Sequence, residues 1–124
     1  MIKGIGIDII EIERVKAAVV KYGQRFLQRV FTENELRYCR RRKALRFPEL
    51  AVRFAAKEAY SKAIGTGMVG FARSNDGIMW KDIEVVNDKR GKPLIAFKGK
   101  LLKKTQLSLS HSRDYAVASV YVEN

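Results

Sequence analysis

One segment of the chain has alanine at every fourth position, and this spacing constrains the fold more than any other feature. The repeat lies within residues 48–64 and consists of Ala51, Ala55, Ala59 and Ala63. Residues four apart stack on one face of an α-helix, so the spacing predicts a helix with a smooth face for close packing. Pro48 suits the first turn of this helix, and Gly65 is well positioned as its C-terminal stop.

Two more helices are predicted upstream of the alanine repeat. Apolar residues recur at intervals of three and four within 13–30, which is typical of an amphipathic helix, and Gly23 is a point where that helix can bend or end. A second helix is expected to start at Thr32, because Thr32 and Glu35 have the spacing of a capping box. It is expected to continue into the basic run 37–46.

The remaining segments have the pattern of β-strands. Residues 2–12 are rich in isoleucine on both sides of the strand, which is typical of a strand buried on both faces. A loop is expected at 65–77 and a helical turn within 99–105, and alternating residues predict strands at 80–87, 94–98, 107–112 and 115–122. The order favours the α+β class, with an N-terminal strand, three helices and an antiparallel meander in one domain covering 1–124.

Basic residues outnumber acidic ones by a wide margin. The chain has 25 lysines and arginines against 13 aspartates and glutamates, for a net charge of +12. Such a field attracts nucleic acid, an anionic membrane, an acidic protein or a phosphorylated small molecule, and the charge alone does not choose among them. On the first helix, cations within about 80° of one another form a basic stripe beside the apolar one: Arg14, Lys21, Arg25 and Arg29.

The cysteine and histidine counts limit the kinds of site. Cys39 is the only cysteine and His111 the only histidine, which excludes an internal disulfide framework, a Cys-rich zinc site and a multi-histidine metal site. A metal would therefore be held by carboxylates, which favours a hard ion such as Mg²⁺. The start of the chain has no signal-peptide pattern and no apolar run approaches the roughly 20 residues of a membrane span, so a cytoplasmic protein without a membrane span is expected.

Two carboxylates are the strongest candidates for chemistry. Asp8 is the one charge in the middle of an isoleucine-rich strand, so it needs a cation, which is either an arginine or a metal ion. Glu58 is spaced either for an ordinary i,i+4 ion pair with Lys62 or, if it meets Asp8 in space, for a two-carboxylate Mg²⁺ site.

Other motifs carry less weight. Ser108, Ser110 and His111 lie in an alternating segment without a nucleophile elbow, which disfavours a nucleophilic triad. The glycines at 4 and 6 lack the third glycine of a dinucleotide fingerprint, and residues 65–67 do not form a P-loop.

Four segments in this order make the chain resemble a known family. They are GIGIDIIEIER at 4–14, FAAKEAYSKAIGTG at 54–67, GKP at 91–93 and SLSHSRDYAVASV at 108–120. The chain is similar over nearly its full length to the bacterial holo-[acyl carrier protein] synthases, which are 4′-phosphopantetheinyl transferases. The resemblance implies that fold, and transfer of 4′-phosphopantetheine from coenzyme A to a serine of apo-acyl carrier protein in fatty acid biosynthesis, with release of 3′,5′-ADP.

The resemblance also implies roles for individual residues. Asp8 and Glu58 would be ligands of Mg²⁺, with Mn²⁺ as the alternative ion, and Lys62 would face the coenzyme A diphosphate. The other coenzyme A residues would be Arg53 and His111 at the nucleotide phosphates and the loop of Gly65, Thr66 and Gly67. The acidic carrier protein would meet Arg14, Lys21 and Arg25.

The family is typically a homotrimer with active sites at subunit interfaces, and the mechanism we expect is direct in-line attack by the carrier serine. Glu58 or a hydroxide on the metal would accept the serine proton, and Lys62 would stabilise or protonate the departing ADP phosphate. Two rival interpretations stay open: a small basic nucleic-acid-binding module, which leaves Asp8 and Glu58 without a reason, and a transferase for peptide-synthetase carrier domains.

Overall fold

The computed structural model describes residues 1–68 and 77–124. The helices are α1 (Ile12–Tyr22), α2 (Gln24–Val30), α3 (Glu33–Cys39) and α4 (Phe47–Ile64), and a 3₁₀ turn covers Trp80–Asp82. The strands are β1 (Ile2–Glu11), β2 (Arg40–Arg41), β3 (Ala44–Leu45), β4 (Ile83–Asn87), β5 (Pro93–Phe97), β6 (Lys100–Leu101), β7 (Thr105–His111) and β8 (Tyr115–Glu123). The predicted α+β class is confirmed. Within 1–68 and 77–124, no helix is long and apolar enough to cross a membrane.

The strands form two three-stranded antiparallel sheets and a small hairpin. The first sheet has the order β1-β8-β7, so the last strand of the chain lies between the first strand and β7. The second sheet has the order β4-β5-β6, and β2 pairs only with β3. The predicted meander is therefore divided between β6 and β7, and β8 pairs with both β7 and β1.

The first sheet packs on α4 through a contact that only glycine allows. A Cβ atom on Gly4 would lie 2.0 Å from the carbonyl oxygen of Ala63, and one on Gly6 would lie 1.8 Å from that of Ala59. Ala51, Ala55 and Ala59 are fully buried along the same helix. The alanine face predicted from the four-residue spacing thus meets a glycine face on β1.

One face of β1 is open in the single chain. Ile5, Ile7 and Ile9 have relative exposures of 58%, 61% and 65%. The expectation that residues 2–12 are buried on both faces is wrong for one chain, because α4 covers only the side of Gly4, Gly6 and Asp8. β1 is also an edge strand, hydrogen-bonded on one side to β8.

Local signals located most element ends correctly. Gly23, with a φ of 57°, separates α1 from α2, and Gly65, with a φ of 81°, ends α4. The capping box of Thr32 and Glu35 is confirmed in both directions. The helix predicted to continue to residue 46 ends at Cys39 instead.

Three other boundaries also differ from the predictions. The hairpin of β2 and β3 follows α3. Residues 80–82 form the 3₁₀ turn ahead of β4, and the helical turn expected within 99–105 is replaced by the short strand β6. Most of the loop predicted at 65–77 lies outside the described residues.

A buried ion pair fixes α4 against its neighbours. The Lys57 ammonium is fully buried and donates to a Glu35 carboxylate oxygen at 2.6 Å and to the Val30 and Trp80 carbonyl oxygens at 2.6 and 3.1 Å. The other Glu35 oxygen accepts from the Val85 backbone N–H at 2.9 Å. Burial lowers the pKa of Lys57, and the adjacent Glu35 carboxylate partly offsets that effect.

We expect Gly6→Ala to disrupt the contact between β1 and α4, because the new methyl group would overlap the Ala59 carbonyl oxygen. The free energy of unfolding in urea should fall by about 3 kcal/mol or more. Gly91→Ala is the control, since its Cβ would meet open space at a φ of 86° and should lower stability by about 1 kcal/mol. Equal losses in the two variants would contradict the close-contact account.

Candidate active site

The packing of β1 on α4 and α1 leaves a cavity with two carboxylates in its wall. Asp8 from β1, Arg14 from α1 and Glu58 from α4 line this cavity, whose volume is about 340 Å³. The rest of the wall is largely apolar and includes Val15, Ala18, Phe26 and Phe54. The structure thus brings Glu58 together with Asp8 and Arg14, which are 50 and 44 residues away along the chain.

The cation beside Asp8 is a lysine. Lys62 donates from Nζ to the Asp8 carboxylate at 3.1 Å and to the Ile7 carbonyl oxygen at 3.1 Å. The Asp8 side chain is 17% exposed and that of Lys62 is 53% exposed, so the ammonium still faces solvent. The alternative prediction that an arginine pairs with Asp8 is therefore wrong, because the partner is Lys62.

Glu58 is partly buried without a matched cation. It forms no ion pair with any residue that the structure describes, so the i,i+4 pair with Lys62 is absent. Burial raises the pKa of Glu58 above its usual range, the nearby Asp8 carboxylate raises it further, and Lys62 partly lowers it. A carboxyl with this shift is closer to the pKa of an effective general base near neutral pH.

The two carboxylates fit a divalent cation that takes its other ligands from elsewhere. No cluster of three or more His, Cys, Asp or Glu side chains with metal-binding geometry occurs in the described part of the chain. Mg²⁺ is commonly held by one or two carboxylates, with substrate phosphates and water completing its octahedron. Repulsion between the Asp8 and Glu58 carboxylates contributes to the raised pKa of Glu58, and a bound cation would relieve this repulsion.

Arg53 and His111 lie outside the carboxylate cavity and have other partners. Arg53 precedes Glu58 by five residues on α4, which is about 140° around the helix. Its guanidinium donates to Asn87 Oδ1 at 2.9 Å and lies 4.1 Å from the centre of the Tyr38 ring. His111 Nε2 is 3.9 Å from a Glu49 carboxylate oxygen.

Arg53 and His111 are not among the residues that line the carboxylate cavity. The Arg53 Nε atom is buried without a hydrogen-bond partner in the part of the chain that the structure describes.

The predicted loop of Gly65, Thr66 and Gly67 directly follows α4. Gly65 and Gly67 have φ values of 81° and 71°, and the Gly67 carbonyl oxygen accepts from the Ile78 N–H at 3.0 Å. Thr66 is exposed. This loop begins three residues after Lys62, and residues 69–76 beyond it are outside the described part.

The predicted docking cations extend away from the cavity. Arg14 lines it, whereas Arg25 lines a neighbouring cavity of about 480 Å³ on α2, and Phe26 belongs to both walls. The Lys21 ammonium lies 5.2 Å from the centre of the Tyr22 ring. The basic stripe is thus divided between α1 and α2 by the break at Gly23.

Several residues at these sites were missed in the sequence. Asn87 and Tyr38 hold the Arg53 guanidinium, and Phe26 and Phe54 form the apolar wall of the carboxylate cavity. The one available sequence signal was an aromatic residue, Tyr38, within the basic run 37–46, because the partners of Arg53 are distant in sequence.

Comparisons with known proteins all indicate one family, and the matches cover nearly the whole chain. The sequence model of the 4′-phosphopantetheinyl transferase superfamily matches residues 4–120. The holo-[acyl-carrier-protein] synthase of Protochlamydia amoebophila is 50% identical over 123 residues, covering 95% of each chain. That of Chloroherpeton thalassium is 46% identical over 123 residues, covering 96% of each chain.

A solved structure of a Bacillus anthracis holo-(acyl-carrier-protein) synthase, in complex with CoA (3′,5′-ADP), is similar as well. It has a TM-score of 0.80 and 43% identity, and the match covers all of this chain and 98% of that one. The Helicobacter pylori synthase in complex with coenzyme A has a TM-score of 0.74 and 28% identity, covering 96% and 99%.

We expect Glu58→Gln to raise the stability of the free protein at neutral pH. Because the folded-state pKa of Glu58 is raised, the folded protein binds that proton more tightly than the unfolded chain, and stability falls as pH rises through the interval between the two pKa values. The urea midpoint of the variant should exceed that of the parent above this interval and approach it below.

Glu13→Gln, at an exposed position of α1, is the control. Midpoints that differ by the same amount at every pH would contradict the burial of a Glu58 carboxylate next to Asp8.

Proposed function

The chain belongs to the 4′-phosphopantetheinyl transferase superfamily, and from this premise we propose that it transfers 4′-phosphopantetheine from coenzyme A to a serine hydroxyl of apo-acyl carrier protein. The other product is 3′,5′-ADP, and the reaction serves fatty acid biosynthesis in the cytoplasm. Residues 1–124 act as one transferase domain. The observation that carries the proposal is the meeting of Asp8 and Glu58 at one cavity, beside Lys62, in a chain half identical to a holo-[acyl-carrier-protein] synthase.

Glu58 is the residue best suited to accept the serine proton. Its raised pKa makes it a stronger base than an ordinary carboxylate, and it lies in a cavity wall that also contains apolar side chains. The serine oxygen forms a bond to the phosphorus of the pantetheine phosphate as the anhydride bond to ADP breaks. The proton goes to Glu58, and the electron pair of the broken bond goes to the ADP phosphate.

Lys62 is the residue best suited to stabilise the departing phosphate. Asp8 and the Ile7 carbonyl oxygen hold its ammonium near the cavity, while about half of the side chain stays exposed to an incoming anion. An oriented ammonium is worth most where negative charge develops during the reaction. Asp8 therefore positions Lys62 in addition to any role as a metal ligand.

Asp8 and Glu58 are the residues that would hold Mg²⁺, or Mn²⁺ in its place. When bound, the ion would neutralise the charge of the coenzyme A diphosphate. Arg14 at the cavity, with Lys21 and Arg25 farther along α1 and α2, supplies a positive surface for an acidic carrier protein, where charge complementarity favours docking.

The remaining coenzyme A residues support an active site shared between copies of the chain. Arg53 and His111 do not line the carboxylate cavity, so one coenzyme A molecule contacts this pair and the carboxylates most directly if they come from neighbouring copies. The exposed isoleucines of β1 offer an apolar face for such an assembly. We propose a homotrimer in which the neighbour's Arg53 and His111, with the Gly65–Gly67 loop, complete the nucleotide site.

The transfer reaction is tested by mass spectrometry of apo-acyl carrier protein after incubation with coenzyme A, with and without Mg²⁺. We expect a mass increase of one phosphopantetheine that requires both the enzyme and the ion. Asp8→Ala and Glu58→Ala should each abolish transfer, because each removes a carboxylate from the cavity, and both should keep the circular dichroism spectrum of the parent. Full activity of either variant would contradict the proposed site.

The shared site is tested by mixing inactive chains. Glu58→Gln and Arg53→Ala variants should each be inactive alone, whereas co-expression should restore about a quarter of the activity or less, because some interfaces then combine two intact halves. Co-expression of Glu58→Gln with Asp8→Ala is the matched control, since both changes lie in the same half. Recovery in the control, or none in the test pair, would contradict an interfacial site.

A further inference from the structure

Residues 40–45 form a basic hairpin that the proposed reaction leaves without a role. β2 and β3 pair Arg40 with Leu45 and Arg41 with Ala44, so Arg42 and Lys43 alone make the turn. The four consecutive cations are exposed. Residues 37–48 contain no aspartate or glutamate, so the hairpin projects from α3 and α4 without a local counter-charge.

The turn of the basic hairpin has residues with long charged side chains at two positions whose backbone conformation favours glycine. Arg42 has a φ of 51° and Lys43 a φ of 69°, which places two residues with side chains in the left-handed region. Two-residue hairpin turns of this kind prefer Asn-Gly. The other two-residue turn, between β5 and β6, follows that preference in part, with Lys98 at 50° and Gly99 at 81°. Arg42 and Lys43 therefore occupy turn positions that carry a local conformational cost.

We propose that the basic hairpin is an electrostatic steering surface for an acidic protein, which, if the proposed function holds, is the apo-acyl carrier protein. Exposed cations outside a tight contact add little to affinity, but they increase the rate at which an oppositely charged protein arrives in a productive orientation. This surface is separate from the stripe of Arg14, Lys21 and Arg25, and it acts before docking rather than in the docked complex.

Three other anions fit the basic hairpin less well. Single-stranded nucleic acid binding normally uses exposed aromatic faces, and the Tyr38 ring next to the hairpin already has Arg46 and Arg53 within 5.2 and 4.1 Å of its centre. Residues 40–46 include no large exposed apolar side chain for insertion into a membrane. Arg40 and Arg41 are neighbours on a strand and point to opposite faces, so they do not converge on one coenzyme phosphate.

Two variants separate charge from backbone strain. Arg42→Asn with Lys43→Gly removes both cations and supplies the favoured turn, whereas Arg42→Gln with Lys43→Gln removes the cations and keeps side chains at both positions. In stopped-flow mixing with apo-acyl carrier protein at about 20 mM NaCl, both should associate about fivefold more slowly than the parent. The difference should disappear at about 500 mM NaCl, where the Debye length is only a few ångströms.

Thermal melting provides the second readout. The Asn-Gly variant should melt at a higher temperature than the parent, and the double-glutamine variant should not. Lys98→Asn is the matched control, because it removes one cation from a turn of the same kind in the other sheet, and it should leave the association rate unchanged.

Each other outcome would overturn the proposal. Parent-like association at low salt, or a loss of equal size at both salt concentrations, excludes steering by the basic hairpin. A raised KM for coenzyme A assigns the hairpin to the coenzyme. Hairpin-dependent binding of random duplex DNA or phosphatidylglycerol vesicles, with an unchanged carrier association rate, assigns it to those anions. Association requires no turnover, so failure of phosphopantetheine transfer in the mass assay is distinguishable from failure of steering.

Discussion

The contact between the glycines of β1 and the alanines of α4 is the constraint on which the rest of the structure depends. No side chain fits between Gly6 and the Ala59 carbonyl oxygen, so the strand lies directly against the helix backbone. Asp8 follows two positions later on the same face of β1, which brings its carboxylate to Lys62 and into the same cavity wall as Glu58. A strand held one side chain farther away would leave these groups too distant to act on one substrate.

The protein treats its buried charges in two opposite ways. At Lys57 the burial is complete, and the ammonium has a carboxylate and two carbonyl oxygens as partners, with Glu35 satisfied in turn by backbone N–H groups. Such an arrangement stabilises one relative position of α3, α4 and β4, and removing one partner would leave an unpaired charge in the core. At Glu58 the burial is partial and the neighbouring charge has the same sign, so electrostatic free energy is left unfavourable in the absence of a ligand. The first pair supports the fold, and the second retains a capacity to bind cations or protons.

Local sequence patterns predicted the elements whose signals are local. The spacing of Ala51 to Ala63, the stop at Gly65 and the capping box at Thr32 each depend on residues within a few positions of one another. The hairpin at 40–45 was missed because arginine and lysine are good helix formers and the turn lacks its usual Asn-Gly. Lys57 gave no sign of burial, since lysine is rarely buried and its partner Glu35 is 22 residues away. The exposure of Ile7 was also hidden, because an isoleucine-rich strand has the same pattern whether a helix or another protein chain covers it.

The juxtaposition of Asp8 and Glu58 depended on family resemblance rather than on pattern. No periodicity relates residue 8 to residue 58, and an i,i+4 pair with Lys62 was the simpler interpretation of Glu58 alone. The different surroundings of Arg53 and Glu58 on α4 could not be predicted from spacing either. Arg53 and Glu58 are five residues apart on one helix, yet only Glu58 lines the carboxylate cavity.

The pairing of β1 with β8 has a consequence for the order in which the first sheet forms. Asp8 lies in a strand whose sheet partner is made of residues 115–123, opposite Ala118. During synthesis on a ribosome, β1 must therefore wait until residues 115–123 have emerged before it can enter its sheet. The helices can begin to associate earlier, but a nascent chain that lacks residues 115–123 has no partner strand to hold Asp8 in its sheet. The Asp8 carboxylate therefore reaches its place beside Lys62 and in the cavity wall with Glu58 only after β8 has left the ribosome.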